Sequence, residues 1–348
     1  MSSTSDIKYD FMSDTLTKPT PEMLQAMIAA NVGDDVYGED PTVVDLENYV
    51  AELTGKEAAM FCVSSTMSNQ VAVRSHLPQP PHSIICDDRA HIHRYEAGGL
   101  AIFSQTTTYT ITPKNGVYIT AEEIRNKLVP HGDVHFCPTK LIEIENTLGG
   151  SIMPLDEVTK IRQLANEKGI KVHLDGARLW NVCVATNTDM KVWTSQVDSV
   201  NLCLSKGIGA PIGAILAGSK EYIERARYYR KLMGGGWRQA GVLAAAARVA
   251  IDTVWPKMAL DHANAAALAK GFASRGVNTV IPVDTNMVML DAKSGGVDVS
   301  KLSDECRKFG IRVRSSSPDV IRFVFHHQID ADAVDLVLQA YDNTHSKH

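Results

Sequence analysis

The middle of the chain alternates short apolar runs with helical patterns, and this alternation is the feature that most constrains the fold. The apolar runs predict buried strands at Ser83–Cys86, Leu141–Glu145, Lys171–Leu174, Val200–Leu204 and Ile212–Ala217. Helical patterns lie between them, such as Leu155–Lys168, whose apolar residues recur on one face and which Gly169 terminates. Strands that alternate with helices indicate an α/β fold, in which helices cover both faces of a mainly parallel sheet.

A change in composition after Gly241 marks a second part of the chain. An alanine-rich stretch and a helical pattern come first, and two alternating apolar runs then flank another helix: Val242–Ile251, His262–Ser274, Asn286–Leu290, Ile321–Phe325 and Val299–Phe309. We therefore expect a large domain over residues 1–250, including the N-terminal segment, and a smaller α+β domain over residues 251–348. A long helix is expected to cross the boundary between them.

Composition excludes several classes of protein. The 348 residues carry a formal net charge of −5, which favours no polyanionic partner such as a nucleic acid. The sequence has no apolar stretch of the roughly 18–20 residues that span a bilayer, and the polar stretch Met1–Asp10 does not resemble a secretory signal. The six cysteines form no CxxC pair, so we interpret them as reduced residues of a cytoplasmic protein.

A lysine that follows a buried strand is the first chemical signal. Lys206 comes just after the run Val200–Leu204 and before Gly207 and Gly209, at the carboxyl end of the predicted sheet. Open α/β sheets bind ligands at that edge. An amine held against apolar walls loses its proton more easily and can form an imine with an aldehyde cofactor. A surface lysine in a loop is the alternative that Ser-Lys-Gly alone leaves open.

An aspartate at the end of the preceding strand favours the imine. Asp175 stands about thirty residues before Lys206, the length of one strand–helix–strand unit. A carboxylate at this edge can pair with a protonated pyridine nitrogen, and the charged ring then withdraws electrons from a carbanion at the α-carbon of a substrate. Asp175 could instead cap the helix from Ala177 onward, so its pairing with Lys206 decides the interpretation.

Two other segments offer polar groups to such a cofactor. Ser65 and Thr66 open a helix after the apolar run Ala58–Val63, where N–H groups and the helix dipole attract phosphate, although ordinary N-capping would look the same. His91 and His93 are spaced two apart, and no third ligand follows at a recognisable spacing, so we expect no metal site. An imidazole that stacks on a cofactor ring and moves protons near neutral pH fits this segment better.

Short motifs follow one another from residue 10 to about residue 325. They are Ser13-Asp14-Thr15-Leu16-Thr17, residues 33–41 (GDDVYGEDP), Ala90-His91, Glu145-Asn146-Thr147, Asp175-Gly176-Ala177-Arg178, Leu204-Ser205-Lys206-Gly207 and residues 234–239 (GGGWRQ). In this order they resemble the threonine aldolase family, a branch of the fold-type I pyridoxal-phosphate enzymes that is grouped with the β-eliminating lyases. The residues in these motifs resemble those of fungal members most closely. The resemblance implies the fold-type I architecture and pyridoxal 5′-phosphate as cofactor.

The resemblance also implies a role for each matching residue. On the cofactor, Lys206 forms the imine, Asp175 pairs with the ring nitrogen, His91 stacks on the ring and moves protons, Ser65 and Thr66 hold the phosphate, and Arg178 and Arg238 complete the binding set. On the substrate, Ser13, Arg178 and Arg322 bind the carboxylate, His135 lies near the hydroxyl group, and Lys231 reaches the site. Lys231 and Arg238 are expected to come from a neighbouring subunit of a homodimer or homotetramer.

Three departures from the family pattern affect the expected reaction. Met12 replaces an arginine, Leu148–Gly150 lacks a frequent histidine, and Met67 stands where relatives have glutamine or leucine. The leading expectation is retro-aldol cleavage of a β-hydroxy-α-amino acid, threonine or allo-threonine, to glycine and an aldehyde. The first rival is a racemase of a small amino acid such as alanine, because the first two departures suit a less polar substrate. The second is a binding protein that has kept the fold.

Overall fold

The computed structural model describes residues 7–345. Its strands are β1 (Tyr9–Asp10), β2 (Ala58–Cys62), β3 (Ser83–Asp87), β4 (Thr107–Ile111), β5 (Thr139–Glu145), β6 (Lys171–Asp175), β7 (Ser199–Cys203), β8 (Ala214–Gly218), β9 (Met287–Asp291), β10 (Ile311–Arg312), β11 (Arg314–Ser317) and β12 (Val320–Val324). Its α-helices are α1 (Pro21–Ala29), α2 (Pro41–Thr54), α3 (Ser65–His76), α4 (His91–Arg94), α5 (Gly99–Ser104), α6 (Ala121–Lys127), α7 (Leu155–Lys168), α8 (Leu179–Thr186), α9 (Met190–Thr194), α10 (Lys220–Leu232), α11 (Gly241–Thr253), α12 (Met258–Ala273), α13 (Val299–Lys308) and α14 (Asp332–His345).

A seven-stranded sheet forms the centre of the molecule, in the order β2-β8-β7-β6-β5-β3-β4. The pairs β3–β4, β3–β5, β5–β6 and β6–β7 are parallel, whereas β8 runs antiparallel to both of its neighbours. The predicted α/β fold with a mainly parallel sheet is confirmed. Because β5, β6 and β7 are parallel neighbours, their carboxyl ends meet at one edge of the sheet.

Helices cover both faces of this sheet, and strand β2 shows why. Ala59 and Phe61 belong to the main core, which they share with helices α2, α7, α8 and α11. Met60 and Cys62 belong to a separate cluster with α3 and α10 on the opposite face. Successive side chains of a strand point to opposite faces, so a strand that is apolar at every position must be buried on both. Among residues 7–345, none of the helices combines the length and the apolar character that crossing a bilayer requires.

A second hydrophobic core lies in the C-terminal part of the chain. Strands β9, β11 and β12 form an antiparallel sheet, and α12, α13 and α14 contribute apolar residues to the same core. Tyr9 and Phe11 join this core, and β1 pairs with β10, so the first strand of the chain packs with the C-terminal unit. The domain boundary near residue 250 stays a prediction, which we amend by grouping the N-terminal strand with the smaller unit.

The expected long helix across that boundary is wrong. Helix α11 ends at Thr253, a short 3-10 helix covers Trp255–Lys257, and α12 begins at Met258. Pro256 explains the break, because proline has no backbone N–H to donate and its ring clashes with the preceding turn of a continuous helix. The two units are therefore joined by a bent connection.

Candidate active site

A cavity of about 260 Å³ opens where the parallel strands end. Among its lining residues are Thr15, Ser65, Thr66, His91, Ser205 and Lys206. Lys206 follows β7 on a tight loop, in which its carbonyl oxygen accepts hydrogen bonds from Gly209 N (2.8 Å) and Thr17 Oγ1 (3.2 Å). Gly209 has φ +87°, and a Cβ there would lie 2.6 Å from the His327 ring, so the loop requires glycine. The predicted lysine thus lies in a cavity at the predicted edge.

The N-terminus of helix α3 forms one wall of the cavity. Ser64 caps the helix by accepting a hydrogen bond from Met67 N at 3.1 Å, which leaves Ser65 and Thr66 in the first turn. The Ser65 hydroxyl oxygen is buried and has no hydrogen-bond partner within the described chain. A helix N-terminus with an unsatisfied buried hydroxyl is a fitting site for a phosphate group. These residues therefore fit the phosphate of the expected cofactor.

Asp175 ends β6 and is almost fully buried, with 1% of its surface exposed. Its Oδ1 accepts hydrogen bonds from Ala177 N (3.0 Å) and Asn201 Nδ2 (3.1 Å), and its Oδ2 accepts one from Asn69 Nδ2 (2.7 Å). The bond to Ala177 holds the turn after β6, whereas α8 begins at Leu179 without a side-chain N-cap, so Asp175 does not cap the helix as the alternative interpretation held. Because each carboxylate oxygen has about two lone pairs, Oδ2 can still accept a hydrogen bond from a protonated ring nitrogen.

His91 opens α4 beside two carboxylates. Its backbone N donates to Glu145 Oε2 at 2.9 Å, and its ring Nδ1 lies 2.9 Å from Glu96 Oε1. The hydrogen bond with Glu96 raises the pKa of His91, although partial burial opposes the shift. Burial, together with the negative charge of Asp175, raises the pKa of Glu145 to about 7. The site therefore contains groups that exchange protons near neutral pH.

The atoms of His91, Glu96 and Asp175 that could bind a metal lie within 4.8 Å of one another. Asn69 Nδ2 donates to both carboxylates, at 2.9 Å to Glu96 and 2.7 Å to Asp175, and His91 is bonded to Glu96. The three side chains thus belong to a closed hydrogen-bonded cluster. We keep the sequence prediction of no metal site as a prediction.

Three predicted carboxylate-binding residues converge on the N-terminal segment. Arg178 makes a bidentate, buried ion pair with Asp14, with Nε at 2.8 Å from Oδ2 and Nη2 at 2.6 Å from Oδ1. Burial opposes ionisation of Asp14, but the Arg178 guanidinium outweighs it and lowers the pKa of Asp14 to about 2. Arg322, on β12, donates to Met12 O at 2.7 Å, and Ser13 lies between these two contacts. The pair uses two of the five N–H groups of Arg178, so others can face a substrate.

Three other predicted residues lie outside the cavity of their own chain. The His135 side chain is 81% exposed on the loop at residues 129–138, and its ring Nδ1 bonds to Asp133 Oδ1 at 2.9 Å. The Arg238 side chain is 53% exposed and pairs with Asp34 at 2.6 Å. Lys231 lines a separate surface groove of about 470 Å³ with Tyr37, Tyr228 and Gly236. A single chain therefore does not bring these three residues to Lys206.

Comparisons with known proteins agree with this geometry. The family model of the β-eliminating lyases matches residues 10–294. The low-specificity L-threonine aldolase of Saccharomyces cerevisiae is 43% identical over 330 residues, which make up 94% of this chain and 84% of that protein. The chain belongs to the β-eliminating lyase family. The predicted resemblance to threonine aldolases is confirmed.

Two further relatives of this lyase chain bear on fold and reaction. The structure of a threonine aldolase from Leishmania major covers 97% of this chain and 100% of its own, with a TM-score of 0.84 at 19% identity, and it supports the fold alone. The alanine racemase TOXG of Cochliobolus carbonum is 34% identical over 340 residues, which are 95% of this chain and 86% of that protein. Family membership therefore identifies the fold, whereas the names of these relatives describe two different reactions.

Sequence reasoning missed four residues of this lyase site: Asp14, Asn69, Glu96 and Glu145. Asp14 and Glu145 lie inside motifs that carry the family resemblance, and Asn69 and Glu96 each lie three residues beyond a named segment, but none is assigned a role from the sequence. One signal was available, since buried strands β6 and β7 place His173, Asp175, Ser199 and Asn201 at alternating positions of otherwise apolar runs. Polar residues at alternate positions of a buried strand need partners, and those partners lie on the helix that covers that face.

Proposed function

We propose that this chain is a pyridoxal-phosphate-dependent lyase that cleaves a β-hydroxy-α-amino acid, such as threonine or allo-threonine, to glycine and an aldehyde. One observation carries the proposal: Lys206 lies in a cavity lined by the first turn of α3, and the neighbouring strand β6 ends at the buried Asp175. Family membership and the threonine aldolase names of its relatives support the same reaction. The proposal includes a cytoplasmic location because of the composition of the sequence.

The chain's own residues divide the work of this reaction. When bound, pyridoxal phosphate supplies an aldehyde and an electron sink for a carbanion at the substrate α-carbon. Ser65, Thr66 and the first N–H groups of α3 hold the phosphate, and Lys206 presents its amine to the aldehyde. Asp175 accepts the hydrogen bond of the ring nitrogen, and its negative charge keeps that nitrogen protonated.

The residues that surround Met12–Asp14 would orient the substrate. Arg178, held in place by Asp14, binds the carboxylate together with Ser13 and Arg322, because guanidinium groups match carboxylates in a bidentate manner. A fixed carboxylate would orient the substrate and so select which bond at Cα breaks. His91, which lines the cavity, would move protons at its imidazole. That His135 accepts the β-hydroxyl proton stays a prediction. Because its side chain is exposed in its own chain, His135 would serve the cavity of a neighbouring subunit.

The proposal includes a homo-oligomer of at least two subunits with active sites at the interface. Lys231 and Arg238 do not line the cavity of their own chain, and Lys231 lines a surface groove with Tyr228 and Leu232, whose surfaces are 80% and 79% accessible. Large exposed apolar side chains that cluster around a groove mark contact surfaces more often than free ones. A second chain placed there would cover these side chains and would receive both cations in its cavity.

A second candidate, racemisation of a small amino acid such as alanine, is favoured by one specific observation. TOXG, which is named an alanine racemase, is similar to this chain along 95% of its length. Racemisation needs an acid–base group on each side of Cα, and Lys206 and His91 both line the cavity. We rank it second because several relatives with higher identity carry the aldolase name.

One experiment separates the two reactions. The purified protein, supplied with pyridoxal phosphate, is incubated separately with L-threonine, L-allo-threonine and L-alanine. Aldehyde is measured by coupled reduction, and D-alanine by chiral chromatography, with Lys206→Ala as the matched inactive control. Aldehyde release from either threonine isomer supports the lyase. Formation of D-alanine without any aldehyde would replace it with the racemase.

A further inference from the structure

A buried hydrogen-bonded chain extends behind Asp175, away from the cavity. It begins at Asn69, one turn into α3, and this side chain has a fixed orientation. Both hydrogens of its amide go to carboxylates, since Nδ2 lies 2.7 Å from Asp175 Oδ2 and 2.9 Å from Glu96 Oε1. Its Oδ1 must therefore accept a hydrogen bond, and the group beside it is His173 Nε2 at 3.2 Å. His173 consequently carries its proton on Nε2.

The direction of the remaining bonds follows from that proton. His173 is fully buried, and burial lowers its pKa to about 4, so the ring is neutral and its Nδ1 is an acceptor. Ser199 Oγ lies 2.8 Å from that Nδ1 and must donate to it. The same Oγ lies 2.7 Å from His76 Nε2, and burial lowers the pKa of His76 to about 3. His76 therefore donates to Ser199, and every bond of the chain points toward Asp175.

The fold explains why this chain can form. His173 and Asp175 alternate on β6, and they are paired in register with Ser199 and Asn201 on β7, so the four side chains share one face of the sheet. Helix α3 lies across that face, and Asn69 and His76 are seven residues apart on it, which puts them on the same side of the helix. Hydrogen bonds that point the same way along a buried chain polarise and strengthen one another.

We propose that Asn69, His173 and Ser199 are positioning residues that hold Asp175 as a hydrogen-bond acceptor for the ring nitrogen of the cofactor. The inference rests on the proposed function, because it takes Asp175 as the partner of that nitrogen. Asn69 fixes Asp175 Oδ2 directly. His173 and Ser199 act through Asn69, since they keep its carbonyl occupied and so keep its amide turned toward the two carboxylates.

The variant Ser199→Ala illustrates how the loss of one hydroxyl group would affect Asp175. In Ser199→Ala, no hydroxyl donates to His173 Nδ1, and the ring can move its proton to that nitrogen. Nε2 would then be an acceptor facing Asn69 Oδ1, which is also an acceptor. Rotation of the Asn69 amide would relieve this conflict, but it would remove the N–H donor from Asp175. The variant would thus displace the Asp175 carboxylate, although the side chains of His173 and Asn69 lie between residue 199 and Asp175.

The test compares two cofactors that differ at one atom. Apo-protein is titrated with pyridoxal 5′-phosphate and with an analogue in which a C–H group replaces the ring nitrogen, and the ratio of the two dissociation constants is measured. The phosphate and the aldehyde contribute equally to both, so the ratio isolates the contact with Asp175. The wild type should prefer pyridoxal phosphate by about ten- to a hundredfold, the strength of one hydrogen bond to a charged group.

Four variants then test the chain. Asn69→Ala should reduce the preference by at least about fivefold, and Ser199→Ala by about two- to fivefold, within the range of a single hydrogen bond. Ser199→Thr restores the hydroxyl and should restore the ratio. Ser83→Ala removes a buried strand serine that bonds to Cys137 and Thr139, away from the site, and it should lower stability without changing the ratio.

The outcomes separate the inference from the function on which it rests. A merely structural chain would weaken binding of both cofactors alike, so an unchanged ratio in both Asn69→Ala and Ser199→Ala would overturn the inference and leave the proposed function standing. Equal affinities in the wild type would overturn the placement of the ring nitrogen at Asp175, and the inference with it. If Asn69→Ala does not fold, the Ser199→Ala and Ser199→Thr pair decides alone.

Discussion

The buried end of strand β6 and the exposed surface around Lys231 and Arg238 contrast in how their polar groups are satisfied. At the end of β6, Asp175 is 1% exposed and receives three N–H donors from its own chain. On the surface, the Arg238 side chain is 53% exposed, and its partner Asp34 lies outside the cavity. One chain therefore satisfies the polar groups around Asp175 by itself, whereas the proposed roles of Lys231 and Arg238 would require a second chain.

The largest expected effect is that of Lys206→Ala, in the cavity itself. Without the amine, the protein cannot form a covalent link with an aldehyde cofactor, and nearly all turnover should be lost. The absorbance of bound cofactor and its reduction by borohydride check the loss of the link, and aldehyde release checks the activity. A reducible link at another lysine in the variant would show that the site is misplaced.

Asp175→Asn should have the next largest effect. A neutral amide cannot keep the ring nitrogen charged, so turnover should fall by on the order of 10²–10³-fold, the usual effect of removing one preorganised charged contact. Cofactor should still bind, because the phosphate site on α3 is untouched. Turnover near that of the wild type would mean that Asp175 serves only to hold the turn after β6 through its bond to Ala177.

The same contrast separates what could be predicted from sequence from what could not. The strand Val200–Leu204 was predicted from its apolar run and observed as Ser199–Cys203, so Lys206 fell at the correct edge. The partner Asn69 could not be deduced, because it lies 106 residues before Asp175 and only the packing of α3 on the sheet joins them. The surface residues were available only through the family resemblance, since no pattern within one chain indicates that a partner is needed.

The direction of β8 was also not predicted, although the sequence contains the reason. Strand β7 ends at Cys203 and β8 begins at Ala214, and no helix lies between them. A parallel return requires a crossover of roughly a dozen or more residues, usually a helix, whereas a shorter loop suffices for an antiparallel neighbour. The loop that carries Lys206 is thus the turn that reverses the chain, which explains why the lysine lies on so short and fixed a segment.

Arg238→Ala tests the exposed half of the site. If Arg238 contacts the cofactor of a neighbouring subunit, the variant should lose about ten- to a hundredfold in turnover, as expected for one hydrogen bond to a charged group. The variant is then unfolded, refolded together with Lys206→Ala protomers, and assayed. In a dimer with shared sites, each mixed dimer has one intact site, and roughly a quarter of wild-type turnover should return. No recovery would place Arg238 in its own subunit or outside the site.

His135→Asn should have a smaller effect. The His135 side chain is exposed on a surface loop of its own chain. If His135 acts at the cavity of a neighbouring subunit, it would do so through a loosely held contact or through a water molecule. We expect threonine cleavage to slow by about tenfold, below the usual range for a directly placed acid–base group. Exchange of the glycine α-proton, which involves no hydroxyl group, should change less. An equal loss in both reactions would refute the assignment of His135 to the hydroxyl proton.

The last prediction concerns stability instead of turnover, at a second buried carboxyl group whose pKa Asp175 affects. Glu143 on β5 is fully buried, and its two carboxylate oxygens have no hydrogen-bond partner within the described chain. Burial, with the negative charge of Asp175, raises its pKa well above the ordinary value of 4.5. The folded protein therefore retains a proton that the unfolded chain releases, and the free energy of unfolding should fall as the pH rises above about 4.5, by up to about 1.4 kcal/mol per pH unit.

Glu143→Gln removes this proton while keeping the size of the side chain. The variant should therefore gain stability relative to the wild type as the pH rises, and the difference should widen between about pH 5 and pH 8 until the folded pKa is passed. Urea denaturation of both proteins across that range measures it, with Glu122→Gln on the exposed surface of α6 as the matched control. Because Glu143 is buried whereas Glu122 is exposed, only the Glu143 variant should diverge from the wild type. Parallel curves for all three proteins would mean that Glu143 is ionised in the folded state and has a partner that stabilises its charge.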